Sequence, residues 1–156
     1  MHPNEERLER FYTAFAEGDH ATMAASYADD ARFSDPVFPD LDADGVRAMW
    51  RMFCTSGNDI AVSFGGIKAD DASGSARWEA VYAFPKTGRR VHNDISAGFR
   101  FRDGLIVEHR DTFDLYRWSR MALGPLGTAL GWTPVVKNQV RQQAAAQLKR
   151  FRAAER

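Results

Sequence analysis

The chain has 156 residues, of which 44% are hydrophobic and 27% charged, a composition typical of one soluble globular domain. Its 21 lysines and arginines balance its 21 aspartates and glutamates, so no overall field attracts nucleic acid or an anionic membrane. The single cysteine, Cys54, excludes an internal disulfide framework. Because the charged N-terminus has neither the apolar run of a signal peptide nor a membrane span, we expect a cytoplasmic protein.

The first third of the chain has the apolar spacing of three helices. The first helix carries the stripe Leu8, Phe11, Tyr12 and Phe15. Asp19 is placed to cap a short second helix that carries Met23 and Tyr27. Asp44 is placed to cap the third. That helix carries the stripe Val46, Met49, Trp50 and Phe53.

A short strand, ARFSD, is predicted between the second and third helices, and it ends at Pro36 because proline cannot donate to a ladder. From residue 59 the apolar period changes to two, which predicts strands. Gly65 and Gly66 predict a bulge in the first of these. Long alternating strands are predicted over residues 76–84, 91–102 and 105–116, and their links, PKTGRR and RDGL, are typical of hairpins. Helices followed by such a meander predict an α+β fold, a curved antiparallel sheet wrapped around three helices with a cavity between them.

The last part of the chain is predicted as an extension of the same domain, so that residues 1–118 form the main unit and residues 119–156 pack on it. GPLGTALGWTP reads as an apolar, glycine-rich link, and Thr133 with Pro134 begins a last helix. Its buried stripe is Val136, Val140, Ala144, Leu148 and Phe151. We expect the link to lie near the opening of the cavity and the helix to cover the sheet or a partner subunit.

Alternation along the strands predicts which polar side chains point inward. Asp35 shares a face with Phe33, Asn93 lies on an apolar face, and His109 and Asp111 lie on another. In a partly desolvated pocket Asp35 would have a raised pKa and could act as a base. Alternatively, Asp35 accepts backbone N–H bonds in the turn made by the following proline.

His109 and Asp111 could likewise form an acid-base pair or a structural hydrogen bond in the core. Arg77 and Glu79 share a face, but the pattern does not say whether that face is inside, and their default interpretation is an exposed ion pair. The sequence contains no nucleophile signature, phosphate-binding loop or spaced metal-ligand motif, so we predict neither a cofactor nor a metal site.

Taken together, these segments resemble a known superfamily. RFYTAFAEGDHATMAASYADDARFSDPVF and FRFRDGLIVEHRDTFDLYRW resemble the nuclear transport factor 2-like superfamily, and most of all its branch of ketosteroid isomerases and SnoaL-like polyketide cyclases. The resemblance covers about residues 5 to 118. It implies a cone of three helices in a curved antiparallel sheet, a deep apolar pocket and a homodimer.

Carrying over the residues of the isomerases gives a partial match. Their general base is the aspartate of a DPV motif, and it corresponds to Asp35 here. Their oxyanion hole consists of a tyrosine and a protonated aspartate. The tyrosine corresponds to Phe11, with Tyr12 at the next position, and the aspartate corresponds to Ala97. Because losing one such donor typically costs about 10²-fold or more in rate, the resemblance does not imply steroid isomerisation.

Two other activities in the superfamily point to the last strand. Limonene-type epoxide hydrolases use an Arg-x-Asp pair and a later aspartate, which resemble Arg77, Glu79 and Asp111 here. Polyketide cyclases use an aspartate that also falls on Asp111.

The sequence therefore predicts a protein that binds a small hydrophobic molecule. The predicted lining residues are Phe11, Tyr12, Phe15, Met49, Trp50, Phe53, Asn93, Phe99 and Phe113. The leading hypothesis is cofactor-free isomerase or cyclase chemistry, with Asp35 or Asp111 as base and His109 as its orienting partner. The alternatives are an epoxide hydrolase centred on Arg77, Glu79 and Asp111, and a binding domain without catalysis.

Overall fold

The computed structural model describes residues 1–57 and 59–155, which form six helices and six strands. The helices are α1 (Pro3–Glu17), α2 (His20–Ala25), α3 (Ala43–Thr55), α4 (Leu115–Leu123), α5 (Pro125–Leu130) and α6 (Pro134–Ala154). The strands are β1 (Tyr27–Ser34), β2 (Leu41–Asp42), β3 (Ala61–Ala69), β4 (Ser73–Ala83), β5 (Arg90–Arg102) and β6 (Leu105–Thr112).

The strands form one open, curved sheet in the order β2-β1-β6-β5-β4-β3. The predicted α+β cone is confirmed, with one difference, because β1 pairs with β6 in parallel while the other neighbours are antiparallel. Hairpin turns impose the antiparallel direction within the meander. β1 ends at Ser34 and β6 begins at Leu105, so no turn joins them and fixes their relative direction.

Local signals at the helix ends explain the bounds of the first three helices. α1 ends at Gly18, which adopts a φ of 75° that residues with a side chain rarely adopt. Asp19 caps α2 as predicted, and its carboxylate accepts from Thr22. The cap of α3 is Asp42 and not the predicted Asp44, because the Asp42 carboxylate accepts from the Gly45 backbone N–H at 2.7 Å.

Two predicted boundaries were wrong. Tyr27, predicted on the second helix, is the first residue of β1, because α2 ends at Ala25. The last strand ends at Thr112, and α4 follows in place of the predicted continuation, since the Asp114 carboxylate caps the N–H of Arg117 at 3.0 Å. The link predicted after it contains α5.

The main core lies between the concave face of the sheet and the apolar faces of α1 and α3. Inward-facing residues of β5 are buried as alternation predicts, and they are Val91, Asn93, Ile95, Ala97, Phe99 and Phe101. The predicted bulge in β3 occurs between Gly65 and Lys68. A second irregularity, between Arg100 and Phe101, changes the register with β6 and turns Ile106 inward. Such bulges bend and twist the strands, which curves the sheet around the helices.

The C-terminal helices pack on the rest of the domain, with α4 against β5 and α6 against α3. α4 supplies most of a second apolar cluster, which consists of Val91, Leu115, Trp118 and Ala122. Val37, Tyr82 and Phe113 contact both this cluster and the main core. α6 contributes Leu148 to the main core, and Arg141 Nε donates to the Pro36 carbonyl at 2.9 Å. Within the described residues, none of the helices has the length and apolar character needed to cross a membrane.

Candidate active site

Asp35 lies in the turn that follows β1, and one of its two carboxylate oxygens holds that turn. Its Oδ1 accepts from the backbone N–H groups of Val37 at 2.7 Å and Phe38 at 2.6 Å. Its own N–H donates to the Phe38 carbonyl at 2.8 Å. These are the bonds that the structural interpretation of Asp35 predicts. Among the described residues, Oδ2 has no hydrogen-bond partner, so half of the carboxylate is left for other contacts.

The surroundings of Asp35 favour its protonated form. Burial raises the pKa of Asp35 from 3.8 to about 7, and the charge of Asp111 acts in the same direction. The bonds from Phe38 and Val37 oppose this rise, since they stabilise the charged form. A carboxyl with a pKa near 7 can both give and take a proton at neutral pH.

A second carboxylate, that of Asp111, lies at the end of a chain of buried polar side chains. The His109 Nε2 atom is 2.8 Å from Asp111 Oδ1, and both residues are almost fully buried. The Tyr27 hydroxyl oxygen lies 2.8 Å from His109 Nδ1. The Trp50 indole N–H donates to that hydroxyl oxygen at 2.9 Å. From the other side, the Trp78 indole nitrogen lies 3.5 Å from Asp111 Oδ1.

Tyr12 brings an unused hydroxyl into the same region. Its side chain is fully buried, and its hydroxyl has no hydrogen-bond partner within the described residues. Burial, and then the charge of Asp111, raise the pKa of Tyr12 well above its usual value. Its ring stacks on Phe64, with the ring centres 5.5 Å apart. Tyr12 therefore stays protonated and can donate to an acceptor that enters the core.

The structure does not bring Arg77 and Glu79 to this region. Both lie on the outer face of β4, whose inward residues are Ala76, Trp78 and Ala80. Arg77 pairs with the exposed Asp94 at 3.1 Å, and Glu79 lies 3.4 Å from His92. Arg77 and Glu79 are thus on the opposite side of the sheet from Asp111. The three residues of the predicted epoxide hydrolase site are not assembled.

The residues predicted to line a pocket are packed into the core. Seven of the nine are buried, and they are Phe11, Tyr12, Phe15, Met49, Trp50, Asn93 and Phe99. Phe53 and Phe113 are partly buried against them. Two depressions, of about 400 and 270 Å³, include Glu108 and Arg110 of the outer face, and neither is lined by Asp35 or Asp111. A ligand pocket beside the carboxylates therefore stays a prediction.

Sequence reasoning missed Tyr27 and Trp78 as members of the site. The spacing between Met23 and Tyr27 suits a helix, and this concealed the strand. For Trp78 a signal was present, because the PKTGRR hairpin pairs it with Ile95, an inward residue of β5. Directly paired residues point to the same face, so the pairing identifies the inner face of β4. Residues 1–57 and 59–155 contain no group of three or more potential metal ligands.

Comparison with protein families identifies the chain. The model of the SnoaL-like domain matches residues 8–109, which is more than half of the chain. The chain belongs to the SnoaL-like family. The match includes the Asp35 turn and His109 and ends just before Asp111. A search of functionally curated proteins found no match to this SnoaL-like protein.

Solved structures with low sequence identity share the fold. An LEH-like epoxide hydrolase from M. tuberculosis is 21% identical, with a TM-score of 0.65 over 84% of this chain and 97% of that one. IdmH from Streptomyces antibioticus, a proposed polyketide cyclase, is 23% identical, with a TM-score of 0.62 over 75% and 96%. An NTF2-like protein of unknown function from Burkholderia pseudomallei is 17% identical, with a TM-score of 0.66 over 78% and 98%. The SnoaL-like protein thus has the nuclear transport factor 2-like fold.

Proposed function

We propose that this SnoaL-like protein binds a small hydrophobic molecule between α1, α3 and the concave face of the sheet and moves protons on it without a cofactor. The observation that carries the proposal is the pKa of Asp35, about 7, beside a second buried carboxyl group, that of Asp111. A carboxyl group with a strongly shifted pKa, such as that of Asp35, is typical of sites that carry out acid-base chemistry.

The two carboxyl groups can divide the work between them. Two like charges close together disfavour double ionisation, so near neutral pH one carboxyl keeps its proton while the other is ionised. The ionised group can remove a proton from a carbon next to a carbonyl, while the protonated group donates to the carbonyl oxygen. Returning a proton to a different carbon gives an isomer, and attack of the enol carbon on a second carbonyl closes a ring.

The protonation states follow from the surroundings of each group. Asp35 is the acid, because burial raises its pKa to about 7. Asp111 is the base, since His109 Nε2 and the Trp78 indole nitrogen lie within 3.5 Å of its Oδ1 and orient the carboxylate. The hydroxyl of Tyr12 is a further donor for a carbonyl oxygen.

Epoxide hydrolysis is a weaker candidate for this chain. The similarity to the M. tuberculosis enzyme is one of fold, at 21% identity. The arginine and acid that resemble the hydrolase pair, Arg77 and Glu79, lie on the outer face and are engaged by Asp94 and His92.

The homodimer and the cytoplasmic location inferred from the sequence stay predictions, as does the absence of nucleic acid and membrane partners. Light scattering on the purified protein would test the first.

Deuterium exchange provides a test that does not require the natural substrate. A small aromatic ketone such as 2-tetralone is incubated with the protein in D₂O, and NMR follows loss of the protons next to its carbonyl. We expect the wild type to accelerate this exchange and Asp35→Asn or Asp111→Asn to lower the rate by about 10²-fold or more. Asp94→Asn, which alters an exposed carboxylate on the outer face, is the matched control and should keep the wild-type rate.

The remaining outcomes decide against the proposal. Binding of the ketone without any exchange would favour a binding domain without catalysis. Exchange that survives in both carboxylate variants would remove Asp35 and Asp111 from the mechanism.

A further inference from the structure

We infer that Tyr27 and Trp50 are positioning residues that hold His109 in its neutral form, with the proton on Nε2, so that Asp111 is kept as an ionised base. The inference rests on the proposed role of Asp111 in proton transfer. Its structural part concerns only buried hydrogen bonds, so it can be tested without a substrate.

The direction of the hydrogen bonds follows from the chemistry of the indole. The Trp50 indole N–H can only donate, and it donates to the Tyr27 hydroxyl oxygen at 2.9 Å. The Tyr27 hydroxyl has its own hydrogen, which also needs an acceptor because the side chain is buried. Among the described residues, the acceptor within reach is His109 Nδ1, at 2.8 Å. Tyr27 therefore donates to His109 Nδ1.

The proton on His109 is then fixed. Because Nδ1 accepts, a neutral imidazole carries its hydrogen on Nε2. This N–H donates to Asp111 Oδ1 at 2.8 Å, and the Trp78 indole N–H lies 3.5 Å from the same oxygen. An oxygen that faces two donors favours the ionised form of its carboxylate. Both of these contacts are made by Oδ1, which leaves the second oxygen, Oδ2, for the reacting molecule.

The other protonation states leave a buried hydrogen without a partner. If His109 were doubly protonated, or carried its proton on Nδ1, the hydrogens of Tyr27 and Nδ1 would compete for the space between them. The Tyr27 hydrogen would then lose its acceptor in a fully buried position, which costs about 1 to 3 kcal/mol. In the arrangement that we infer, each donor of the chain from Trp50 to Asp111 has an acceptor.

A neutral His109 matters for the strength of the base. A neutral N–H donor orients Asp111 without adding a full positive charge, whereas an imidazolium would form an ion pair that weakens the carboxylate as a base. The other titratable groups that face this chain are Tyr12 from α1 and Asp35 from the turn after β1. Arg47 on α3 donates to the Tyr27 carbonyl at 2.9 Å, and its positive charge acts on Tyr27.

Nitrogen NMR of the histidine rings reads the protonation state directly. The protein is labelled with ¹⁵N-histidine, and the signals of His109 among the four histidines are identified by their loss in His109→Gln. We expect wild-type His109 to carry a single proton, on Nε2, at neutral pH. In Tyr27→Phe, the hydroxyl hydrogen that opposes a proton on Nδ1 is absent. As the pH is lowered, the imidazolium of His109 should therefore form at a higher pH than in the wild type. Trp50→Phe should act in the same direction, since it frees the Tyr27 oxygen to accept from a protonated Nδ1.

Trp118→Phe is the matched control, because it also removes a buried indole N–H that donates to a tyrosine hydroxyl, that of Tyr82 at 2.8 Å, but outside the chain from Trp50 to Asp111. It should leave the form of His109 unchanged. If Trp50→Phe does not fold, Tyr27→Phe, which deletes a single oxygen atom, decides the question. A wild-type His109 protonated on Nδ1, or doubly protonated at neutral pH, would overturn the inference. So would a Tyr27→Phe titration identical to that of the wild type.

The deuterium exchange assay separates positioning from a general structural role. Tyr27→Phe should lose about tenfold in rate on the acidic side of the pH profile, which corresponds to one pH unit, and recover at higher pH. A loss that is uniform across the profile would contradict a positioning role. The proposed function fails separately, if His109 has the expected form but the wild type does not exchange protons.

Discussion

The charge of Asp111 raises the pKa of Asp35, although Asp111 lies on β6 and Asp35 lies in the turn after β1. The fold creates this relationship, because β1 pairs with β6 and sets Phe33 opposite His109, two residues before each carboxylate. A charge on one group makes ionisation of the other less favourable. The pKa of Asp35 is therefore expected to depend on the charge of Asp111.

This coupling predicts a shift that needs no ligand. In Asp111→Asn the like charge is removed, so the pKa of Asp35 should fall below about 7, while burial still keeps it above 3.8. Carboxyl ¹³C NMR of the variant and the wild type, titrated from pH 3 to 9, measures the change. Asp94→Asn, on the outer face, is the control and should leave the Asp35 titration where it is. An unchanged pKa in Asp111→Asn would mean that the two groups do not interact.

The raised pKa of Asp35 also predicts how stability depends on pH. The native state binds the Asp35 proton more tightly than the unfolded state, so the free energy of unfolding should fall as the pH rises from about 4 to about 7. A shift of about three units corresponds to a few kcal/mol. In Asp35→Asn this fall should disappear, and the amide oxygen can still accept from Val37 and Phe38. Urea unfolding at several pH values gives the two curves, and parallel curves would contradict the prediction.

Arg77 provides a test on the other side of the sheet. Its ion pair with Asp94 is exposed, and such pairs contribute about 0 to 1 kcal/mol. Arg77→Ala should therefore lower the free energy of unfolding by at most about 1 kcal/mol and leave deuterium exchange at the wild-type rate. Thermal unfolding and the ketone assay measure the two effects. A loss of exchange comparable to that in Asp111→Asn would restore Arg77 to the candidate site.

The sequence predicts the architecture and half of the candidate site, and the reason lies in the strands. Alternation places His109 and Asp111 inward, and both are buried. It cannot place Tyr27, since the bounds of a six-residue helix such as α2 depend on tertiary contacts that spacing does not contain. It also leaves the face of Arg77 open. That ambiguity is resolved only by the register of β4 against β5.

The sequence likewise predicts the hydrogen bonds of Asp35 but not its burial. Aspartate side chains often accept backbone N–H bonds in turns, and the DPV motif therefore predicts the bonds from Val37 and Phe38. The main cause of its raised pKa is burial. That burial depends on packing between segments far apart in the chain, which a local pattern does not describe.

The C-terminal extension supplies part of this packing, and its removal is the last test. Truncation after Trp118 deletes α5, α6 and most of α4, and with them the contacts of Leu148 and the bond from Arg141 to the Pro36 carbonyl. We expect the free energy of unfolding to fall by several kcal/mol, because large apolar side chains of the core become exposed. We also expect the pKa of Asp35 to move down toward 3.8, since burial is the main cause of its rise.

Arg141→Ala is the milder variant if the truncated chain does not fold. It removes the bond to the Asp35 turn but leaves α6 in place, and it should lower the free energy of unfolding by about 1 kcal/mol. The control is Gln143→Ala, which lies on the same helix as Arg141. It removes an exposed contact with Lys86 and should have a smaller effect. A truncated protein as stable as the full chain, with an unchanged pKa at Asp35, would show that the main unit buries this carboxyl without the extension.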